Sequence, residues 1–367
     1  MTETADILIV GAGIAGIGAG SEAAADASVI VLESEPRAGM HATGRSAALF
    51  IRNYGNATLR ALNAASAPIF EAAAEFCDGP VLGPRGVLQI AGEDELAALD
   101  AYADGAAGLT RMTGAEAAKI VPILRPERIA AALHEPDAQD IDVDRLLQGF
   151  QRRLKARGGR VDAGARVTAI AREGGVWRIE TQKAVYEAPV IVDAAGGWAD
   201  ELAGLAGVAP LGLVPHRRSA ALLPAPGGHD VSRWPLFGTV TETWYAKPDA
   251  GKLMVSPADQ DPVTPHDVWP EDMVLAEGLD RYARAVTEPV TRVERSWAGM
   301  RTFAPDRTPV VGFDPSAEGF FWLAGQGGYG IQTSPALSRH ASALLTGRAP
   351  ELPEAVVAAL APERLRA

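Results

Sequence analysis

A glycine spacing near the N-terminus constrains this chain more than any other feature. Residues 6–10 (Asp-Ile-Leu-Ile-Val) form a short apolar run, and Gly11-Ala-Gly13-Ile-Ala-Gly16 follows it directly. A small-residue helical stretch continues to about Ala27, and a second apolar run, Ser28 to Leu32, ends in Glu33, 22 positions after Gly11. In a chain with 39 glycines the spacing alone is weak, but its context is specific. It follows a strand, opens a helix and is closed by an acid, as a dinucleotide-binding βαβ unit requires. Such a unit predicts parallel strands joined by a right-handed crossover.

Each residue of the unit has a physical task. Gly11 permits the tight turn, Gly13 lets the backbone approach a pyrophosphate, and Gly16 allows the helix to lie close on the strand. The first helical residues, Ile14 and Ala15, offer free N–H groups and a partial positive charge to an anion. Glu33 accepts hydrogen bonds from a ribose hydroxyl, and its charge disfavours a 2′-phosphate, hence NADP. The unit itself leaves NAD and FAD open.

Further along, helices are expected over about 57–77, 93–106, 114–120, 143–157, 271–287 and 332–346. Strands are expected at about 86–91, 160–172, 175–181, 184–187, 308–312 and 319–324, with a strand-rich stretch over 213–260. The run Pro189 to Gly197 reads as a buried strand leading into a glycine turn, and Gly325 to Gly330 precedes the 332–346 helix. The Pro- and Ala-rich tail after Thr346 is expected to be peripheral, and no internal repeat is present. The pattern is α/β (α+β overall).

Composition narrows the class. At roughly 150 residues per domain, 367 residues suggest about two domains. The net charge of −12 argues against a nucleic-acid binder. Cys77 is the sole cysteine, which rules out an intramolecular disulfide and a cysteine-based zinc site. The acidic start of the chain lacks the basic region of a secretory signal, and the apolar stretch Ile7 to Gly20 falls short of the ~20 residues of a membrane span. A cytoplasmic protein without an integral membrane segment is the expectation, and no metal cluster or Ser-His-Asp arrangement stands out.

Four further segments carry a family resemblance. They are Arg37-Ala-Gly-Met-His41-Ala-Thr43-Gly44-Arg45-Ser46-Ala47-Ala48, Val190 to Ala199, Pro305 to Gly312, and Gly325-Gln-Gly-Gly-Tyr329-Gly330-Ile-Gln332-Thr. In this order they resemble the D-amino-acid oxidase superfamily over nearly the whole chain. The segments His216 to Ala220, Trp244 to Gly251 and Ser296 to Arg301 are most similar to its bacterial D-arginine dehydrogenase branch. The resemblance implies a noncovalently bound FAD in a Rossmann-like domain interleaved with an antiparallel-sheet substrate domain. The cofactor domain would comprise residues 1–85, 140–207 and 300–367, and the substrate domain 86–139 and 208–299. Besides the residues above, the implied flavin contacts are Ser34, His41, Thr43, Gly44, Arg45, Ser46, Ala47, Ala195, Gly196, Trp198 and the run Gly327, Gly328, Tyr329, Gly330, Ile331, Gln332 and Thr333. The N-terminus of the last helix would face the flavin N1–C2 carbonyl.

The implied reaction is oxidative deamination of a D-amino acid. Hydride passes from Cα to flavin N5, and the imino acid hydrolyses to a keto acid and ammonia. Arg218 and Arg301 would clamp the substrate carboxylate, since guanidinium forks match carboxylates. Tyr54 and Tyr245 would donate to the same carboxylate, while Gln332 and backbone carbonyls near Gly328 would lie near the amine. Arginine-oxidising relatives carry an acid two positions after a Pro-Arg pair. Here Pro84-Arg85-Gly86 leads to Val87, with Leu49 and Ile51 nearby. An unpaired buried cation costs several kcal/mol, so apolar or neutral D-amino acids are expected. Oxygen, a quinone or another flavoprotein are the open electron acceptors. Two other functions are compatible with these segments: a secondary-amine (sarcosine-like or cyclic imino acid) oxidase or dehydrogenase, and a noncatalytic flavin-binding subunit. Covalent attachment of flavin through His41 is disfavoured, Cys77 reads as a small hydrophobe, and Lys252 reads as a solvated lysine rather than one held over the flavin.

Overall fold

The structure is a computed structural model that describes residues 2–366. Its organising element is a six-stranded sheet in the order Arg160–Ala163, Val29–Glu33, Ile7–Val10, Val190–Asp193, Phe320–Ala324 and Val310–Phe313. The first five strands are parallel and the last is antiparallel. Alternation along the strands splits the core in two. Ile7, Ile9, Val29, Val31 and Val192 face one cluster with Ile17, Phe150 and Leu337. Leu8, Val10, Ile30, Leu32 and Ile191 face the other, with Trp177, Tyr186 and Leu202. A parallel sheet covered on both faces produces this continuous apolar signature.

Helices Ile14–Ala23, Val143–Ala156 and Gly330–Leu345 contribute to the first cover. The second is built by helix Ala199–Leu205 and a small sheet of Thr2–Thr4, Val185–Ala188, Val176–Thr181 and Val167–Glu173. Asp142 caps Val143–Ala156 by accepting from the Arg145 N–H at 2.9 Å. Asn56 caps helix Ala57–Glu71 in the same way through the Leu59 N–H at 3.0 Å; both satisfy a donor the helix start leaves free.

An eight-stranded, largely antiparallel sheet follows the order Arg295–Phe303, Val214–Leu223, Lys252–Ser256, Tyr245–Asp249, Leu236–Thr239, Val87–Ala91, Ala131–Glu135 and Thr110–Met112. One face buries Leu88, Phe237, Ala246, Val255, Ala221 and Leu223 against Leu275 and Tyr282 of helix Asp272–Ala285. Side chains alternate along a strand, so the other face carries Arg218, Tyr245, Met254 and Arg301. Gly238 pairs with Tyr245 on that face, and a Cβ on it would press on the tyrosine. The expected domain boundary at 299/300 falls inside strand Arg295–Phe303, which lies whole in this sheet.

The tail is not peripheral. Val356 and Leu360 of helix Glu354–Leu360 are buried in the first core cluster. Arg366 pairs at 2.5 Å with the fully buried Asp314, which also accepts from the Trp322 indole at 2.9 Å. Apolar spacing over seven residues was too short a signal to show this. Cys77 behaves as expected of a small hydrophobe: it lies against Gly149, and burial pushes its thiol up to about 11.

Candidate active site

A cavity of about 370 Å³ lies between the C-terminal ends of the parallel strands and the free face of the large sheet. The glycine unit forms one wall. Gly11 adopts φ +108°, and a Cβ there would overlap the Ala194 carbonyl, so only glycine makes this turn. Gly13 is open toward the cavity, where an added Cβ would meet only Thr43 Oγ1 at 3.4 Å. Gly16 lies beneath it, with its Cβ position blocked by the Gly11 carbonyl, as helix-on-strand packing requires. Ile14 and Ala15 line the wall, and the Ile14 N–H donates to Thr43 Oγ1 at 3.0 Å.

Glu33 and Ser34 stand at one end. Glu33 Oε2 accepts from the Ala12 N–H and Oε1 from the Glu35 N–H, both at 2.9 Å. A carboxylate has further lone pairs for a diol. The loop Ala165, Arg166, Val167 completes this end, held by the Ala165 N–H to Glu33 carbonyl bond at 2.7 Å. No local motif marks that loop; pairing of Arg160–Ala163 with Val29–Glu33 delivers it.

His41, Thr43, Arg45, Ser46, Ala47, Ala195, Gly196 and Trp198 line the middle. His41 packs on Trp198 with ring centres 4.8 Å apart, and its Nε2 lies 3.1 Å from Glu35. The Arg45 head reaches the carbonyls of Val268 and Ala298 at 3.2 and 3.1 Å and pairs with Asp267, bracing the glycine-rich segment against the large sheet. Gly44 does not reach the cavity, because it packs on the Gly39 carbonyl. Gly327, Gly328, Gly330 and Ile331 form the far wall, at the start of helix Gly330–Leu345. Tyr329 turns away onto Tyr54 and Phe303, and Thr333 is fully buried with its hydroxyl on the Tyr329 carbonyl. Trp297 and Met254 also line the cavity through sheet register, and Met300 and Gln326 join them; sequence reasoning missed all four.

A smaller cavity of about 100 Å³ continues from the first and shares Ser46, Ala47, Arg218, Tyr245, Arg301, Gly328 and Ile331 with it. Arg218 is 8% exposed; its Nε donates to the Asp259 carbonyl at 2.9 Å, while both terminal nitrogens have no hydrogen-bond partner among the described residues. Register places Arg301 opposite His216 on the neighbouring strand and on the same face as Arg218. A Cβ on Gly328 would sit 3.0 Å from the Arg301 guanidinium, so glycine leaves room for it. Burial alone would raise the Tyr245 phenol, but the Arg301 and Arg218 charges outweigh burial and hold it below its usual value. The Ile51 N–H donates to Gln332 Oε1 at 3.0 Å, which fixes the amide with Nε2 as a buried donor lacking a partner among the described residues.

Two expectations change here. Val87 does not line this cavity: it is 1% exposed and packs behind Leu49 and Ile51, which do, while Gln89 on the same strand face forms the wall. The cavity is also not free of carboxylates. Glu242, on the turn between Leu236–Thr239 and Tyr245–Asp249, reaches it. Its Oε1 accepts from the Tyr54 hydroxyl at 2.7 Å, and its Oε2 is 3.8 Å from Arg218. Tyr54 therefore donates to Glu242 in this structure, and burial together with that carboxylate raises its phenol. Lys252 pairs with Glu294 at the surface, as a solvated lysine would.

The chain matches the family described as FAD dependent oxidoreductase over residues 6–344. It belongs to that family. Its similarity to individual relatives is distant. An uncharacterized oxidoreductase of Bacillus subtilis is 23% identical over 66% of this chain and 64% of its own length. A glycine oxidase of Geobacillus kaustophilus is 24% identical over 61% of this chain and 58% of its own. The chain thus spans less than two thirds of these curated relatives. Solved folds match throughout: L-proline dehydrogenase from P. horikoshii has TM-score 0.85 at 19% identity, covering 100% of this chain and 99% of that one. The Geobacillus kaustophilus glycine oxidase structure has TM-score 0.82 at 21% identity, covering 96% and 97%.

This FAD-dependent oxidoreductase has a cavity that fits its cofactor. Glu33 suits a ribose diol, the open side of Gly13 beside the N-terminus of helix Ile14–Ala23 suits a pyrophosphate, and the end beside Arg218, Tyr245 and Trp297, where the second cavity opens, is the place for the flavin ring. Among the described residues no cluster of potential metal ligands occurs, and no helix is long and apolar enough to cross a membrane.

Proposed function

We propose that this enzyme oxidises the Cα–N bond of a D-amino acid with a neutral or apolar side chain. The imino acid product then hydrolyses to a keto acid and ammonia. One observation carries the reading: two guanidinium groups, those of Arg218 and Arg301, share the junction of the two cavities, and Arg218's terminal nitrogens lack hydrogen-bond partners among the described residues. Buried donors of this kind call for an anion, and a carboxylate matches the guanidinium fork.

FAD supplies the two-electron acceptor when bound, here noncovalently. The remaining work belongs to the chain. Arg218 and Arg301 hold the carboxylate, with Tyr245 as a further donor. Holding one end of a small substrate against a fixed wall is a proximity effect. Gln332, whose amide is fixed by Ile51, presents only donors, so it accommodates an amine that has lost its proton and can accept. Ala48, Leu49, Ile51 and Leu236 line the remaining space beside Gln89 and Thr239, a mixture that suits neutral and apolar side chains. A cationic side chain would add a third positive charge to a site where Arg218 and Arg301 already outnumber Glu242.

The test is anaerobic mixing of the yellow holoenzyme with D- and L-leucine, methionine, phenylalanine, arginine, proline and sarcosine. Bleaching by neutral D-amino acids is expected. Failure of every amino acid to bleach the flavin would overturn the reading, and a clear preference for D-arginine would overturn its side-chain part. Mixing the reduced enzyme with oxygen and then with a quinone separates the acceptor classes.

A further inference from the structure

The small cavity presents two fixed cations and one anion, on Arg218, Arg301 and Glu242. The geometry points to Glu242 as the residue that sets substrate charge: it completes a site that accepts one carboxylate and rejects a second. This rests on the amino-acid reading above and deepens it.

Three observations support the assignment. The Glu242 backbone adopts φ +52° on a tight turn closed by the Glu242 N–H to Thr239 carbonyl bond at 3.0 Å. Glycine or asparagine takes that conformation without strain, and glutamate does so at a cost. An outlier of this kind at a cavity wall motivates a functional reading. The side chain is also engaged rather than splayed into solvent, since it accepts from Tyr54 at 2.7 Å and lies 3.8 Å from Arg218.

The third observation is charge. Arg218 and Arg301 bring two positive charges and Glu242 one negative, leaving a net of one positive charge. Buried charges must be matched. A substrate with one carboxylate, a neutral amine and a neutral side chain closes the balance. A dicarboxylate leaves an unmatched negative charge close to Glu242. Leu49, Ile51 and Leu236 offer it no donors, and those of Gln89, Gln332, Ser46 and Thr239 are neutral. Glu242 is about one-third exposed, so solvent moderates the penalty.

The test compares glutamine with glutamate, which differ in charge and hardly in size, in both enantiomers, using rapid anaerobic flavin reduction of the holoenzyme. The wild-type enzyme is expected to prefer glutamine. In Glu242→Gln the glutamate-to-glutamine ratio of kcat/KM is expected to rise by about tenfold to a hundredfold, as removal of a like charge at close range predicts. Glu242→Asn, which suits the turn, should give the same change. Bound flavin and the thermal midpoint report whether each variant is folded. A packing or gating role would lower both substrates in proportion. An unchanged ratio in folded variants that still oxidise glutamine would overturn the proposal. Failure of every amino acid to reduce the wild-type flavin would instead overturn the functional reading beneath it.

Discussion

Replacing Arg218 with methionine separates catalysis from stability. In the native protein the side chain is 8% exposed, donates once through Nε to the Asp259 carbonyl, and keeps two terminal nitrogens unpartnered among the described residues. Its nearest anion is Glu242 at 3.8 Å. Folding therefore carries a buried charge with little compensation, and removing such a charge is often neutral or stabilising. Against substrate the position reverses. Truncating one partner of a buried, hydrogen-bonded charge pair costs about 2–5 kcal/mol. With Arg301 still present, the middle of that range corresponds to a fall in kcat/KM of about 100- to 1000-fold.

The assay is anaerobic flavin reduction by a D-amino acid and by the matching amine that lacks the carboxylate, alongside a thermal melt. Wild type should discriminate strongly between the two compounds. Arg218→Met should lose most of that discrimination while keeping its FAD and a melting temperature equal to or above wild type. A loss of less than about tenfold, or an equal loss on the amine, would refute the assignment of Arg218 to the carboxylate.

Three further outcomes follow from particular contacts. Gly328→Ala should lower kcat/KM while FAD stays bound, because the new methyl would stand 3.0 Å from the Arg301 guanidinium and displace it by tenths of an ångström; activity equal to wild type would remove Gly328 from the site. Arg366→Met should lower the thermal midpoint, since the buried Asp314 carboxylate keeps its Trp322 and Ser316 donors but loses its cation, and a hydrogen bond to a charged group contributes about 1.5–3 kcal/mol. Acid should weaken the fold through His340. Burial holds its pKa at about 4 against an ordinary 6.5, so the neutral form contributes stability above pH 6.5, and that contribution is lost as pH falls toward 4. The full effect is about 3 kcal/mol, and His340→Met should flatten the pH dependence of urea unfolding across this window.

Much was legible because it is local. The Gly11-x-Gly13-x-x-Gly16 turn, its strand and helix, and Glu33 lie within one short βαβ unit, where backbone geometry dictates residue type. The expected strands and helices over 143–163 and 310–345 follow from apolar periodicity in the same way. Burial of the tail was not legible, because Asp314 and Arg366 meet only after Val310–Phe313 and Phe320–Ala324 have paired.

Sequence by itself therefore determined the cofactor-binding unit and, through family resemblance, the two arginines. Tertiary structure decided what surrounds them. Packing of Leu49 and Ile51 over Val87 left Gln89 at the wall, and a turn at positive φ brought Glu242 onto Tyr54 and beside Arg218. The physical reason is that side chains from separate segments compete for the same wall. Which face meets the cavity, and which distant turn closes it, depends on pairings between segments far apart in the chain.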